Sequence, residues 1–191
     1  MKKRISTIVL ALAVSSMVFA NPIDGEKKEV KAGESTITWK AYKVTGSHVG
    51  TITLKSGSLE FDRDKLTGGE FVVDMTTINT TDLTGDYKNK LDGHLNSDDF
   101  FAVASNPTSS MVFTKVEGAG KNAYKVTGDL TIKGITKPIT FDVSVYGSKA
   151  TATLKVDRTK YDVKYGSGSF FDNLGDKTIY DEFDLVVDLQ M

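Results

Sequence analysis

Residues 124–157 read YKVTGDLTIKGITKPITFDVSVYGSKATATLKVD, and along this stretch apolar and polar side chains largely change places from one residue to the next. Tyr124, Val126, Leu130 and Ile132 stand against Lys125, Thr127, Asp129, Thr131 and Lys133. Ile139, Phe141, Val143 and Val145 stand against Thr140, Asp142 and Ser144, and Ala150, Ala152, Leu154 and Val156 against Thr151, Thr153, Lys155 and Asp157. A period of two puts successive side chains on opposite faces of a strand, so each run has one dry face and one wet face. Antiparallel sheets show this pattern, whereas parallel sheets are buried on both faces.

The same period continues outward. Ile37, Trp39 and Ala41 alternate with Thr36, Thr38, Lys40 and Tyr42, and Phe71, Val73 and Met75 alternate with Val72, Asp74 and Thr76. The last run sets Ile179, Phe183, Leu185, Val187 and Leu189 against Glu182, Asp184 and Asp188. One run changes phase: Ile52 and Leu54 are even, Leu59 and Phe61 odd, and Ser56-Gly57 lies between them. A bulge that lets one long strand curve round a closed sheet explains the change better than a hairpin turn. About eight such runs joined by short turns exceed what a sandwich of roughly 100 residues requires, so the expected fold is all-β, an eight-stranded antiparallel barrel.

A helical period is confined to Leu83, Tyr87, Leu91 and Leu95, spaced by four, with Thr80 or Thr81 as N-cap and Asp86 paired to Lys90. Gly93 weakens this helix by roughly 1 kcal/mol. It is expected to be a short cap over one barrel end, and the glycine-rich stretch from Tyr161 to Lys177 a loop near the other rim.

The chain opens differently. Lys2, Lys3 and Arg4 precede a mostly apolar run from Ile5 to Val14, and Val18-Phe19-Ala20 offers a cleavage point before Asn21. Residues 1–20 are therefore expected to be a secretory signal peptide, too short in its apolar run to span a bilayer. Residues 21–34, rich in Lys and Glu, are expected to form a loose polar leader, and residues 35–191 the barrel domain. The 191 residues include no cysteine, so no acceptor for a lipoprotein anchor follows the cleavage point. Without Lys2, Lys3 and Arg4 the chain carries four more acidic than basic groups, which gives no footprint for nucleic acid.

Catalytic chemistry is sparse. The only two histidines, His48 and His94, are far apart in sequence, and no nucleophile elbow, P-loop or dinucleotide fingerprint is present. Asp98-Asp99 and Asp181-Glu182 read as solvated surface carboxylates. The expectation is a protein that is not an enzyme, holds no metal and needs no cofactor. The dry face, by contrast, has a surplus of bulk in Trp39, Phe61, Phe71, Met75, Phe113, Phe141, Phe183 and Leu185. An eight-stranded barrel either fills its interior with such side chains or encloses one small ligand, and period alone leaves both open.

The order of motifs speaks to that choice. Trp39, His48-Val49-Gly50, Gly57-Ser58-Leu59-Glu60-Phe61, Val73-Asp74-Met75, the segment His94 to Phe101, Pro107, Phe113 and the segment Gly128 to Pro138 resemble, in order and spacing, the YceI-like lipid- and polyisoprenoid-binding family. The resemblance implies an extended lipocalin-like barrel in the periplasm or outside the cell, whose apolar channel sequesters or transports an isoprenoid or similar amphipathic lipid. The stretch from Arg158 to Lys177 departs from it as a longer last crossover. On such a barrel the channel falls to Trp39, Ile52, Leu54, Phe61, Phe71, Val73, Met75, Phe100, Phe101, Phe113, Leu130, Ile132, Phe141, Val143, Leu154, Phe183 and Leu185, with His48 and His94 as a polar rim. The partner implied is a long-chain lipid, without stable membrane insertion and compatible with a homodimer. The rival reading is a secreted structural or adhesion module with a filled core.

Overall fold

A computed structural model describes residues 25–191; the signal-peptide reading of residues 1–20 lies outside the described residues. The chain runs β1 (Glu26–Glu29), β2 (Thr36–Lys43), β3 (Gly46–Asp62), β4 (Lys65–Thr80), α1 (Gly85–Asn96), β5 (Thr108–Gly120), β6 (Ala123–Ile132), β7 (Ile135–Tyr146), β8 (Lys149–Asp157) and β9 (Ile179–Gln190). Strands β2 to β9 pair antiparallel with their sequence neighbours, and β9 pairs with β2, so eight strands close into a barrel. The alternation of the sequence is thus used as expected, with one face of each strand turned to the interior.

β3 is a single strand of 17 residues, and its register against β4 slips between Leu54 and Ser56. The phase change is therefore the bulge: Leu54 on one side and Leu59 on the other are both buried inside the barrel. β2 pairs with β3 only as far as Ile52, and β1 takes over beyond the bulge, pairing Glu26–Glu29 with Ser58–Phe61. The segment expected as a loose leader is thus partly a strand, fastened by Lys27 Nζ to Glu70 at 2.7 Å and by Val30 N to Gly57 O at 2.8 Å. Its sequence, Glu-Lys-Lys-Glu, has no apolar alternation because it adds to a sheet edge and has no core face of its own to bury.

Because the strands alternate in direction, every second connection falls at the same barrel end. The β2–β3 turn, the connection carrying α1, the tight turn at Lys133-Gly134 and the long β8–β9 loop all sit together, called here the helix end. His94 packs edge-on against Tyr165 with ring centroids 4.4 Å apart, and Val44 N donates to Thr178 O at 3.2 Å. This corrects the placing of residues 161–177 at the other rim: an even number of strands separates the two long connections, which forces them together. At the far end Leu59, Phe61, Leu66 and Val126 are all at most 3% exposed and make a solid plug.

The helix also differs in detail. Its N-cap is Thr84, because Thr80 and Thr81 are taken up by the sheet: Thr80 ends β4 and Thr81 N donates to Val49 O at 2.9 Å. Leu95 is buried and Leu91 packs on the core, but Tyr87 is 76% exposed, so the apolar stripe is used only in its second half. The ion pair is Lys88 with Asp92, and not Asp86 with Lys90. Asp92 also accepts from Thr80 N at 2.9 Å, and Lys88 Nζ donates to Asn79 Oδ1 at 2.7 Å, so these two side chains tie α1 to the end of β4.

Three aromatic residues pair with a glycine directly opposite on the next strand, and in two of the pairs the ring occupies the space of the missing side chain. Trp39 pairs with Gly50, Phe71 with Gly57 and Phe113 with Gly128. A Cβ at Gly50 would come within 2.2 Å of both the Trp39 ring and Asn79 O, and one at Gly57 within 2.4 Å of the Phe71 ring. The missing side chains let the rings lie flat on the wall, and Trp39 Nε1 donates to Thr51 O at 3.3 Å in that pose. Gly50→Ala should therefore destabilise the barrel by about 1–3 kcal/mol. Urea melts check the loss, and a red shift in the emission of Trp39, the single tryptophan, checks the displacement of its ring.

Candidate functional site

Inside the barrel lies a cavity of about 170 Å³, bounded by every strand of the closed sheet and, at the helix end, by Leu95, Phe100, Phe101, Arg158, Ile179 and Tyr180. Among the described residues that line it, those with polar side chains are Ser109, Ser110, Thr151, Arg158 and Tyr180, together with Trp39, whose indole N–H is taken by Thr51 O; the rest are apolar. Its space has two sources. Rings laid over glycines take little of the lumen, and Ala41, Ala150 and Ala152 supply small side chains where the period calls only for apolar ones.

The structure brings together sixteen of the seventeen apolar residues assigned to the channel from sequence: Trp39, Ile52, Leu54, Phe71, Val73, Met75, Phe100, Phe101, Phe113, Leu130, Ile132, Phe141, Val143, Leu154, Phe183 and Leu185 all border the cavity. Phe61 does not. It is buried in the far-end plug, with Lys28 Nζ 5.0 Å from its ring centroid, because the bulge carries β3 below the lumen before this residue is reached. Phe71, Phe113 and Phe141 form a continuous aromatic series along the wall, with centroids 5.5 and 5.8 Å apart.

Neither histidine borders the cavity. His48 Nδ1 is 3.0 Å from Asp82 Oδ2, which binds it to the segment that follows β4. Burial pushes the Asp82 carboxyl up, but hydrogen bonds from His48 and from the backbone of Val49 and Asp82 outweigh it and hold the group below its ordinary range. His94 packs edge-on between Phe100 and Tyr165 behind the wall, and its buried Nε2 has no hydrogen-bond partner among the described residues. The rim read from sequence is thus displaced, because both imidazoles join the connections at the helix end to the barrel.

The polar group that sequence reasoning passed over is Arg158. It is 2% exposed, borders the lumen and places Cζ 5.7 Å from the Phe100 ring centroid. Nε donates to Tyr180 O at 3.1 Å, Nη1 to Val163 O at 2.7 Å and Nη2 to Ile179 O at 3.0 Å, so the side chain fastens the β8–β9 loop to the start of β9. Burial lowers its guanidinium from the ordinary value, opposed by Asp181 and Asp157. Asp181 is accordingly no freely solvated carboxylate: Oδ1 is 3.7 Å from Arg158 Nη2, and Oδ2 accepts from Ser169 Oγ at 2.5 Å. Burial pushes this carboxyl up, but the Ser167 and Ser169 hydroxyls and the Arg158 charge hold it below its ordinary range. An Arg directly after a strand that ends on Asp157 was the available signal, but its direction could not be read before the loop was closed.

Among the described residues no three His, Cys, Asp or Glu side chains converge as metal ligands, and no helix is long and apolar enough to cross a membrane.

The YceI-like domain family matches residues 24–191. Curated relatives include a UPF0312 protein of Vibrio campbellii, 30% identical over 78% of this chain and 76% of its own, and one of Pseudomonas putida, 31% identical over 72% and 71%. Among solved structures, Burkholderia cenocepacia BcnA aligns with a TM-score of 0.66 at 23% identity, over 84% of this chain and 98% of its own. A polyisoprenoid-binding domain from Saccharophagus degradans aligns with 0.59 at 14% identity, over 85% and 97%. The Campylobacter jejuni YCEI protein aligns with 0.56 at 17% identity, over 99% and 92%. At these identities the likeness to the solved structures is one of fold.

The attachment of α1 should depend on pH. Burial pushes Asp92 up, but Lys88 and Thr80 outweigh it, so its carboxyl is held below the ordinary value of 3.8. A depressed folded-state value stabilises the folded form fully above the ordinary one, and the contribution disappears as pH falls through the depressed one. The protection factors of the α1 amides, taken against the intrinsic exchange rate at each pH, should fall in acid below about pH 4. Asp92→Asn should weaken their protection at neutral pH by about 1.5–3 kcal/mol and abolish that acid step.

Proposed function

The chain belongs to the YceI-like family, and we propose that it binds and sequesters, or carries, an isoprenoid or similar amphipathic lipid in the barrel lumen without catalysing a reaction on it. The observation that carries this reading is the lumen itself. An eight-stranded barrel with so many aromatic side chains has the bulk to fill its own interior, yet the rings lie flat over glycines and leave a continuous apolar cavity. Dry apolar space of this kind gains about 0.8 kcal/mol for each methylene-sized group that leaves water for it. A branched hydrocarbon tail has the shape and chemistry to collect that gain, and the fold likeness to a polyisoprenoid-binding domain supports the same class of ligand.

Export fits this role. We read residues 1–20 as a cleaved signal that delivers the carrier to the periplasm or the medium, where a lipid crossing water needs an enclosing partner. On the same reading α1 and Phe100-Phe101 close the lumen at the helix end, since Leu95, Phe100 and Phe101 are wall residues donated by that connection.

The test is direct. Protein purified from its native host should release an apolar species on denaturation, seen by mass spectrometry of the extract. Ala152→Phe should fold and melt within about 1–3 kcal/mol of the parent while losing that species, because its ring occupies lumen space. Phe141→Ala, measured without lipid, should cost less than the roughly 3–5 kcal/mol of a well-packed aromatic. A full penalty at Phe141 with no lipid released would establish a filled-core structural module instead.

A further inference from the structure

An apolar tail needs no cation in its channel, yet Arg158 is one. A guanidinium carries five N–H groups, and among the described residues three of them have acceptors: Tyr180 O, Val163 O and Ile179 O. The second N–H on each terminal nitrogen has none, since Asp181 Oδ1 stands at 3.7 Å, beyond hydrogen-bond distance, and is itself without a partner. Desolvated donors without acceptors are costly to maintain. This cost falls on a side chain only 2% exposed that forms part of the lumen wall.

We propose that Arg158 anchors the head of the bound lipid by donating its two remaining N–H groups to an acceptor oxygen. The inference rests on the lipid-binding reading above and narrows the ligand class to isoprenoids whose head offers a carbonyl, hydroxyl or phosphate oxygen. An ammonium head, which only donates, is repelled there. The lipid's direction follows. Arg158 begins the β8–β9 connection and packs on Phe100, which places the head at the helix end of the lumen. The tail then runs toward the far end, which the plug around Leu59 closes. His48 and His94 take no part in recognition.

Competition binding to delipidated protein, with four probes of one tail length, tests this: phytane without a head, geranylgeraniol, geranylgeranyl phosphate and a naphthoquinone carrying the geranylgeranyl tail. At least one oxygen-bearing probe should bind about tenfold or more tightly than phytane, and the probe that binds most tightly identifies the head. Arg158→Met should erase that preference and leave phytane binding unchanged. Arg158→Lys, which retains the charge but loses the planar fork, provides the decision if the methionine variant does not fold, and should reduce the preference. Equal binding of all four probes by the parent overturns the anchor and leaves lipid binding standing. An unchanged preference in a folded Arg158 variant overturns it as well. Failure of the parent to bind any probe overturns the lipid-binding reading itself.

Discussion

The cross-strand pairing of an aromatic ring with a glycine is the constraint on which the lumen depends. In a closed sheet every inward side chain competes for the same axial space, and an eight-stranded barrel is narrow enough for its own residues to fill. Trp39 and Phe71 escape that competition because Gly50 and Gly57 leave bare backbone for them to lie against, and Phe113 lies within 3.0 Å of where a Cβ at Gly69 would stand. Each ring still covers the pairing of two strands, and so contributes packing to the wall without using the centre. The Gly57 pair has a second role, since it sits just past the β3 bulge and fixes where the strand changes phase.

That phase change also divides the barrel along its axis. Above the bulge the inward residues of β3 face a cavity; below it Leu59 forms the cavity floor and, with Phe61, Leu66 and Val126, the plug beneath it, and β1 covers the part of β3 that β2 does not reach. The strand parity collects both long connections at the opposite end. One end is therefore solid and built of tight turns, the other is assembled from segments with few ladder bonds, joined by side chains such as Asp92, His94 and Arg158. Local opening is least costly where ladder bonds are fewest, so the helix end is where the barrel opens most readily.

What could be read from the sequence was whatever period two controls. The alternation along residues 124–157 specifies antiparallel strands with a single dry face, and the shift from Leu54 to Leu59 marks a break that a bulge explains better than a hairpin turn, a choice the register against β4 decides. The apolar wall residues followed, because inward facing is a property of the strand alone. Phe61 was misplaced because period assigns a face but not a height along the axis. The roles of Thr80, Lys88 and Asp92 depend on how α1 meets β4, and those of His48 and His94 on which connections become neighbours in space. β1 has no hydrophobic pattern at all, since a charged edge strand is recruited by backbone hydrogen bonds.

Arg158 shows why such a residue escapes a reading by pattern. A cation buried at an apolar wall costs several kcal/mol unless dipoles replace its water, and here three backbone carbonyls do so. Those carbonyls belong to Val163 in the β8–β9 loop and to Ile179 and Tyr180 at the start of β9, so the loop must close before the charge is tolerable. The dependence runs both ways, since without the guanidinium the same carbonyls would face the interior unpaired. The hydrophobic lumen rewards any tail of suitable girth and discriminates poorly between them. Selectivity must therefore come from the few wall groups that are directional. Of those groups Arg158 is the only one with a charge, and it is held in place by the β8–β9 loop and the start of β9.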